Sequence, residues 1–252
     1  MTLELDSVTF QYPLSTTPAL WNISFTVEPG MCLLVLGHNG AGKSTLLRLL
    51  NGILRPAHGS VLLDGAETRN WTTAALARSV AVTFQNPSDQ IFASTVRDEA
   101  VFGPRNLGRP RAVALAEEAL ERFGLADLRD RHPYDLRPAQ RKLLSLASAV
   151  AMDSSILAFD EPGAGLSFPE RQTARMALSH EAVRKKSLLV VTHDIETWLP
   201  IATHVLLLRQ GRIVFLGRSK GILGAESALR RAGVRLPASW RISRLLGESR
   251  LT

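Results

Sequence analysis

Gly37-His38-Asn39-Gly40-Ala41-Gly42-Lys43-Ser44-Thr45 satisfies the phosphate-binding pattern G-x-x-x-x-G-K-[ST] at every fixed position. The chemistry follows from the residue types. Glycine at 37, 40 and 42 permits backbone conformations that other residues resist, so successive N–H groups can turn inward around a phosphate. Lys43 is spaced to reach the β- and γ-phosphates of a nucleoside triphosphate, and the Ser44 hydroxyl to ligate Mg²⁺. His38 fills a free position of the loop and is assigned no chemistry. A second reactive group lies far along the chain. Ile156-Leu157-Ala158-Phe159 runs straight into Asp160-Glu161. A buried strand ending in two acids sets them at the carboxyl edge of a sheet, where α/β proteins bind ligands. Asp160 would hold Mg²⁺, directly or through water, and Glu161 would orient and deprotonate an attacking water. His193, after the apolar run Val190-Val191, could hydrogen-bond the γ-phosphate and brace Glu161. Gln85, after Val80 to Phe84, could sense Mg²⁺ and the water.

These residues need elements to position them. Met31 to Leu36 is a strand-type run before the loop. After it, Leu46, Leu47, Leu49 and Leu50 are spaced for a buried helical face, and Gly52 ends the helix. Leu3, Leu5, Val8 and Phe10, then Ile23, Phe25 and Val27, predict a hairpin-like pair of strands ahead of the loop. Gly59 to Gly65 predicts another strand. Helices are predicted over Thr95 to Phe102, over Ala112 to Phe123 with Leu115, Ala119, Leu120 and Phe123 on one face, and over Leu136 to Met152. Strand-type runs return at Ile156, Ser187, Val205 and Ile213, with a helix from Pro169 to Lys185. The expected fold is α/β: a P-loop NTPase core with a mainly parallel sheet, an N-terminal antiparallel β subdomain, an inserted α-helical subdomain and a small C-terminal extension. The expected division is 1–87 with 153–216 as the nucleotide-binding core, 88–152 as the helical insert and 217–252 as a basic extension.

Bulk properties narrow the class. A chain of 252 residues, 45% of them hydrophobic, supports one large core with a subdomain. No apolar run reaches membrane-spanning length, and Met1 to Asp6 lacks the features of a signal peptide. The single cysteine, Cys32, lies in the apolar strand and reads as a small buried residue. A cytosolic setting fits. The net charge of +7 is concentrated: Arg209 to Thr252 holds ten lysines and arginines against two acids. Such a tail is either a solvated helix surface or a contact for lipid headgroups, nucleic acid or an acidic partner.

Phosphate loop, Gln85, helical insert, Asp160-Glu161 and His193, in that order, resemble an ABC-type ATPase along essentially the whole chain. The resemblance implies ATP and Mg²⁺ as ligands and places Tyr12 where such proteins stack an aromatic on adenine. Phe84-Gln85-Asn86-Pro87-Ser88-Asp89-Gln90-Ile91-Phe92 and Phe102-Gly103-Pro104-Arg105-Asn106-Leu107-Gly108 look like the energy-coupling factor (ECF) subgroup, which includes cobalt and nickel importers. Ala232-Gly233-Val234-Arg235-Leu236-Pro237 is similar to its C-terminal extension. This subgroup resemblance implies a second ATPase subunit, identical or different, paired head to tail around two ATP. It also implies a membrane coupling protein, a substrate-binding membrane component and a place on the cytoplasmic face of the membrane. The segment from Gln85 to Phe92 would lie near the groove that receives coupling helices.

Two stretches depart from the family pattern. Where ABC proteins carry L-S-G-G-Q, offered to the partner's ATP, this chain has Leu136-Arg137-Pro138-Ala139-Gln140. Pro138 has no N–H to donate, though proline suits the first turn of a helix. Arg137 is either a cation replacing the serine at the partner's γ-phosphate or a solvated charge on a weakened half-site. Ser167 stands where an aspartate usually links the two nucleotide sites. Two further readings therefore accompany the importer ATPase: a regulatory nucleotide-binding subunit with little turnover, and a soluble ABC protein acting on nucleic acid. The latter usually has two cassettes or a coiled-coil insertion, which this sequence lacks.

Overall fold

The computed structural model describes residues 1–234, and the rest of the basic extension, 235–252, lies outside them. β1 (Leu3–Phe10) and β2 (Leu20–Val27) alternate buried apolar with exposed polar residues and pair antiparallel, Leu3 opposite Val27. β3 (Cys32–Leu36) is buried throughout and feeds the phosphate loop and α1 (Lys43–Leu50). β4 (His58–Leu63) returns antiparallel to β1, with the short β5 (Ala66–Glu67) beside it. α2 (Thr73–Ala77) is capped by the Thr72 hydroxyl, which accepts from Ala75 N–H at 3.1 Å, and leads into β6 (Val80–Thr83).

From there to residue 155 the chain forms helices and tight turns without a strand. α3 (Val96–Asn106), α4 (Ala112–Arg122) and α5 (Pro138–Ala151) pack on one another. α3 runs past Phe102, the predicted stop. Gly103 and Pro104 sit in its last turn, where Leu107 N–H still reaches Gly103 O (3.0 Å), and the left-handed residue that ends the turn is Gly108. On α4 the buried face is Ala116, Ala119 and Leu120, continued by Phe123; Leu115 is only half-buried. The i, i+3, i+4, i+7 set thus starts one residue later than the sequence suggested.

The chain then alternates: β7 (Ile156–Asp160), α6 (Phe168–Val183), β8 (Ser187–Val191), α7 (Ile195–Trp198), β9 (His204–Arg209), β10 (Arg212–Arg218) and α8 (Glu226–Arg231). The strands make a four-stranded antiparallel sheet, β2-β1-β4-β5, and a six-stranded sheet, β10-β9-β3-β8-β7-β6. All pairs in the larger sheet are parallel except the β9–β10 hairpin. Both of its faces are covered. Leu34, Leu36, Leu157, Phe159, Leu188 and Val190 enter the core shared with the helices. Leu33, Val35, Ile156, Ala158, Leu189 and Val191 enter the core shared with α1 and the smaller sheet. A sheet buried on both faces requires continuous apolar strands, which is what these runs are. No helix among the described residues is long and apolar enough to cross a membrane.

Cys32, at the start of β3, is buried, and desolvation pushes its thiol up to about 12. The native protein is expected to show no reaction with a disulfide-exchange thiol reagent at pH 8 and one equivalent after denaturation. Rapid native labelling would contradict this burial.

Candidate functional site

Parallel pairing puts the carboxyl ends of β3, β8, β7 and β6 along one edge of the sheet. The phosphate loop leaves β3, Gln85 follows β6, Asp160 ends β7 with Glu161 after it, and Thr192-His193 follow β8. Tyr12 approaches from the end of β1. Together they line a cleft of about 470 Å³ whose walls include Tyr12, Asn39, Gly40, Gly42, Lys43, Ser44, Thr45, Gln85, Asp160, Glu161 and His193. Gly37, His38 and Ala41 serve the loop from behind. A Cβ on Gly37 would lie 2.4 Å from Leu208 O, so glycine lets the loop pass close over β9. Ala41 is buried in the core, while His38 is exposed and its N–H donates to Ala232 O at 3.2 Å, just beyond α8.

The loop is shaped for an anion. Gly42, the residue before α1, has φ +103°, and a Cβ there would meet Ala19 O at 2.5 Å. No side chain caps the N-terminus of α1 and no acid lies in its first turn, so its N–H groups face the cleft with their partial positive charge uncompensated. Lys43 is largely buried and donates from Nζ to Gly37 O (2.8 Å) and His38 O (3.1 Å). Burial lowers its pKa, and Glu161 and Asp160 oppose that shift. The Tyr12 hydroxyl lies 3.2 Å from Thr45 Oγ1, and its ring meets Phe10 edge-on at 5.0 Å between centroids.

The two acids occupy different environments. Asp160 is 3% exposed, and burial raises its pKa, with the Glu161 charge adding to the rise. The Ser44 hydroxyl, hydrogen-bonded to it, works in the opposite direction, as do Lys142 and Lys43. Glu161 sits at φ +47°, a conformation unusual for a residue with a side chain. Its N–H donates to Val191 O at 2.8 Å, which fixes that backbone. One carboxylate oxygen accepts from Thr192 Oγ1 (2.9 Å), and the other lies 2.8 Å from His193 Nδ1. Strain of this kind costs about 1–3 kcal/mol and persists where surrounding structure fixes it.

Leu136 to Gln140 do not reach this cleft. Leu136 is buried, Arg137 and Pro138 are exposed, and Ala139 and Gln140 lie in the first turn of α5. The Gln140 side chain accepts from Arg137 N–H at 3.0 Å, so the helix start is capped despite the altered residues. Sequence reasoning missed Thr192 and Lys142. Lys142 is 2% exposed, and its Nζ donates to Gln85 O (3.1 Å), Asp160 O (3.2 Å) and Phe84 O (3.4 Å). Burial brings its pKa down to about 8, against the pull of Asp160 and Glu161. The available signal was a lone lysine beside Leu143, Leu144, Leu146 and Ala147 in a helix buried on most sides.

A glycine-rich loop between a buried strand and a helix, with acids at the end of a neighbouring parallel strand, defines a phosphate-loop nucleotide-binding protein. Comparison with known proteins narrows the class. The sequence family described as ABC transporter matches residues 20–164. The chain is 37% identical over 241 residues to the energy-coupling factor transporter ATP-binding protein EcfA of Methanothermobacter thermautotrophicus, covering 93% of this chain and 76% of that one. It is 38% identical over 244 residues to the cobalt import ATP-binding protein CbiO of Rhodobacter capsulatus, covering 93% and 85%. Among solved structures, CbiO1 from Clostridium perfringens, part of the ABC transporter complex CbiONQ, superposes with a TM-score of 0.79 at 28% identity over 97% of this chain and 98% of that one. The chain belongs to the ABC transporter family, as an ATP-binding ATPase subunit.

Gly42→Ala tests the loop geometry. The added methyl forces a positive-φ residue against Ala19 O, and the variant is expected to lose at least about 1 kcal/mol of stability. It should also lose binding of a fluorescent ATP analogue. Parental melting temperature and parental affinity together would refute the assignment.

Proposed function

We propose that the chain binds ATP with Mg²⁺ in this cleft and hydrolyses it to drive an importer of the energy-coupling factor type. The observation that carries the hydrolytic reading is Glu161. Its carboxylate is gripped by Thr192 and His193 at the mouth of β7, beside Asp160, in a strained backbone. Each carboxylate oxygen has more than one acceptor site, so Glu161 can hold these partners and still take a proton from water. The open N–H groups of α1 and Lys43 would bind the β- and γ-phosphates, with Tyr12 against the adenine. His193, its ring mostly exposed, would reach the γ-phosphate while keeping Glu161 oriented. Ser44, Asp160 and Gln85 offer hard oxygen donors in one wall, which suits a cation that keeps waters and phosphate oxygens in its shell. When bound, Mg²⁺ supplies charge neutralisation of the β- and γ-phosphates.

The importer reading draws on the EcfA and CbiO relatives. It takes 1–87 with 153–216 as the nucleotide-binding core, 88–152 as the helical insert and 217–252 as the extension. On the insert, Phe92 and Phe102 are 61% and 47% exposed and pack edge-to-face at 4.6 Å. They stand beside a small cleft between β6, α3 and α5 that Gln90, Ile91 and Met152 help to line. An exposed aromatic pair at a groove suits the apolar face of a coupling helix from a membrane protein. The working unit would be two ATPase subunits, identical or different, on the cytoplasmic face of the membrane, with a coupling protein and a substrate-binding component. Solute choice, cobalt or nickel ions or a vitamin, would rest with that component. Arg137 and Pro138, exposed at the start of α5, favour the regulatory alternative to the extent that the partner's site loses backbone donors. ATPase assays of the chain alone and with its partners separate the two.

Glu161→Gln should retain ATP affinity and lose hydrolysis by about 100-fold or more, the usual size of a general-base contribution. Unchanged turnover would remove Glu161 from that role. Affinity purification from membranes in mild detergent should recover a polytopic coupling protein with this chain, and Phe92→Asp should release it while ATP binding persists. Recovery with nucleic acid and no membrane protein would favour the soluble alternative.

A further inference from the structure

We infer that Lys142 is a positioning residue for hydrolysis, an internal rivet that holds the Gln85 and Asp160 backbones in register from the first turns of α5. The inference rests on the proposed ATPase site and extends it. An ammonium group has three N–H donors and no acceptor, and Lys142 meets three carbonyl oxygens: Phe84, Gln85 and Asp160. Those carbonyls lie just after β6 (Phe84 and Gln85) and at the end of β7 (Asp160), two adjacent parallel strands, at the edge where the cleft opens. No carboxylate contacts the ammonium among the described residues. Asp160 and Glu161 balance its charge at longer range.

The arrangement has a clear consequence. Gln85 is exposed and lies outside any strand. Its carbonyl bond to Lys142 is what ties that residue to the interior. Asp160 ends its strand at the same place, and its side chain is the proposed Mg²⁺ ligand. Lys142 thus fixes where two cleft-lining side chains begin, while standing outside the residues that line the cleft itself. It stands one helical turn beyond Pro138, so it also joins the altered partner-facing start of α5 to the sheet edge. A displacement of the first turn of α5 would be felt directly at Gln85 and Asp160.

The test compares Lys142→Met, which keeps the length of the stem and removes all three donors, with Lys142→Gln, which keeps two donors without charge. Lys142→Met leaves three carbonyl oxygens without this donor and is expected to lower stability, so the Gln variant, which keeps two donors, guards against failure of the first to fold. Turnover should rank parent, Gln, Met, with kcat of the Met variant reduced about 10- to 100-fold, as for residues that orient metal ligands. Mg²⁺-free ATP affinity should stay within about twofold, and the Mg²⁺ concentration needed for half-maximal ATP affinity should rise by a similar 10- to 100-fold factor. The Mg²⁺ titration reads the effect even if turnover needs a partner subunit. A Met variant with parental kcat and Mg²⁺ requirement would overturn the inference. So would equal losses of Mg²⁺-free affinity and turnover with a lowered melting temperature, which would make Lys142 merely structural. A parent chain whose nucleotide binding ignores Mg²⁺ would overturn the site reading itself.

Discussion

The parallel register of β6, β7, β8 and β3 is the constraint on which the rest of the molecule depends. Asp160 pairs with Val191, and Val191 with Val35, so β7 and β8 end level and β3 one residue beyond them. The hydrogen-bond ladder then continues past them. Glu161 N–H reaches Val191 O, and Thr192 N–H reaches Val35 O. These final rungs are the backbone of the candidate site. A one-residue slip would turn every side chain to the other face, and both faces are packed cores. Register is therefore held by dozens of buried apolar atoms, and the placement of the acids follows from it without separate stabilisation.

The same edge concentrates charge in a place that burial makes unfavourable for it. Asp160 is pushed up, and Lys43 and Lys142 are pushed down, so each is displaced toward its neutral form. Mutual attraction between the lysines and the acids offsets part of the desolvation. The division of labour among the two cations is geometric. Lys43 faces the cleft and spends its hydrogen bonds on the phosphate loop, whereas Lys142 lies behind the acids and spends them on the ends of β6 and β7. Glu161 is held differently, by a hydroxyl and an imidazole that orient the carboxylate without a permanent opposite charge.

How much of this was legible in the sequence depended on whether the signal was local. Continuous apolar runs announced the central strands, because a doubly covered parallel strand has no exposed face to mark with polar residues. The phosphate loop and Asp160-Glu161 were legible because their residue types are set by the chemistry of the motif. Lys142 was not, since a periodicity reading assigns a charged residue to the solvent side, and only the carbonyls of residues 84, 85 and 160 show why it is inside. The Thr192–Glu161 bond likewise joins residues 31 apart in the chain. The start of the buried face of α4 failed for a related reason: Leu115 is the more apolar residue, yet Ala116 is the one buried where α4 packs on α3 and α5.

The departures at 137–138 and 167 show what kind of change this fold accepts. Pro138 has no N–H, but in the first helical turn that group needs no intrahelical partner, and Gln140 satisfies Arg137 N–H in its place. Ser167 starts α6, with its N–H and hydroxyl both donating to Glu170 at 2.8 and 2.7 Å. These two bonds hold the Glu170 carboxyl below its usual range, and Arg137 adds a weaker pull across the gap between the two helix starts. Each helix therefore begins with its N-cap N–H satisfied by the side chain three residues on. The altered residues change the exposed chemistry at two neighbouring helix starts while leaving the packing behind them intact. Stability constrains Ser167 only through its two bonds to Glu170. What the altered residues meet across the surface is the constraint that remains.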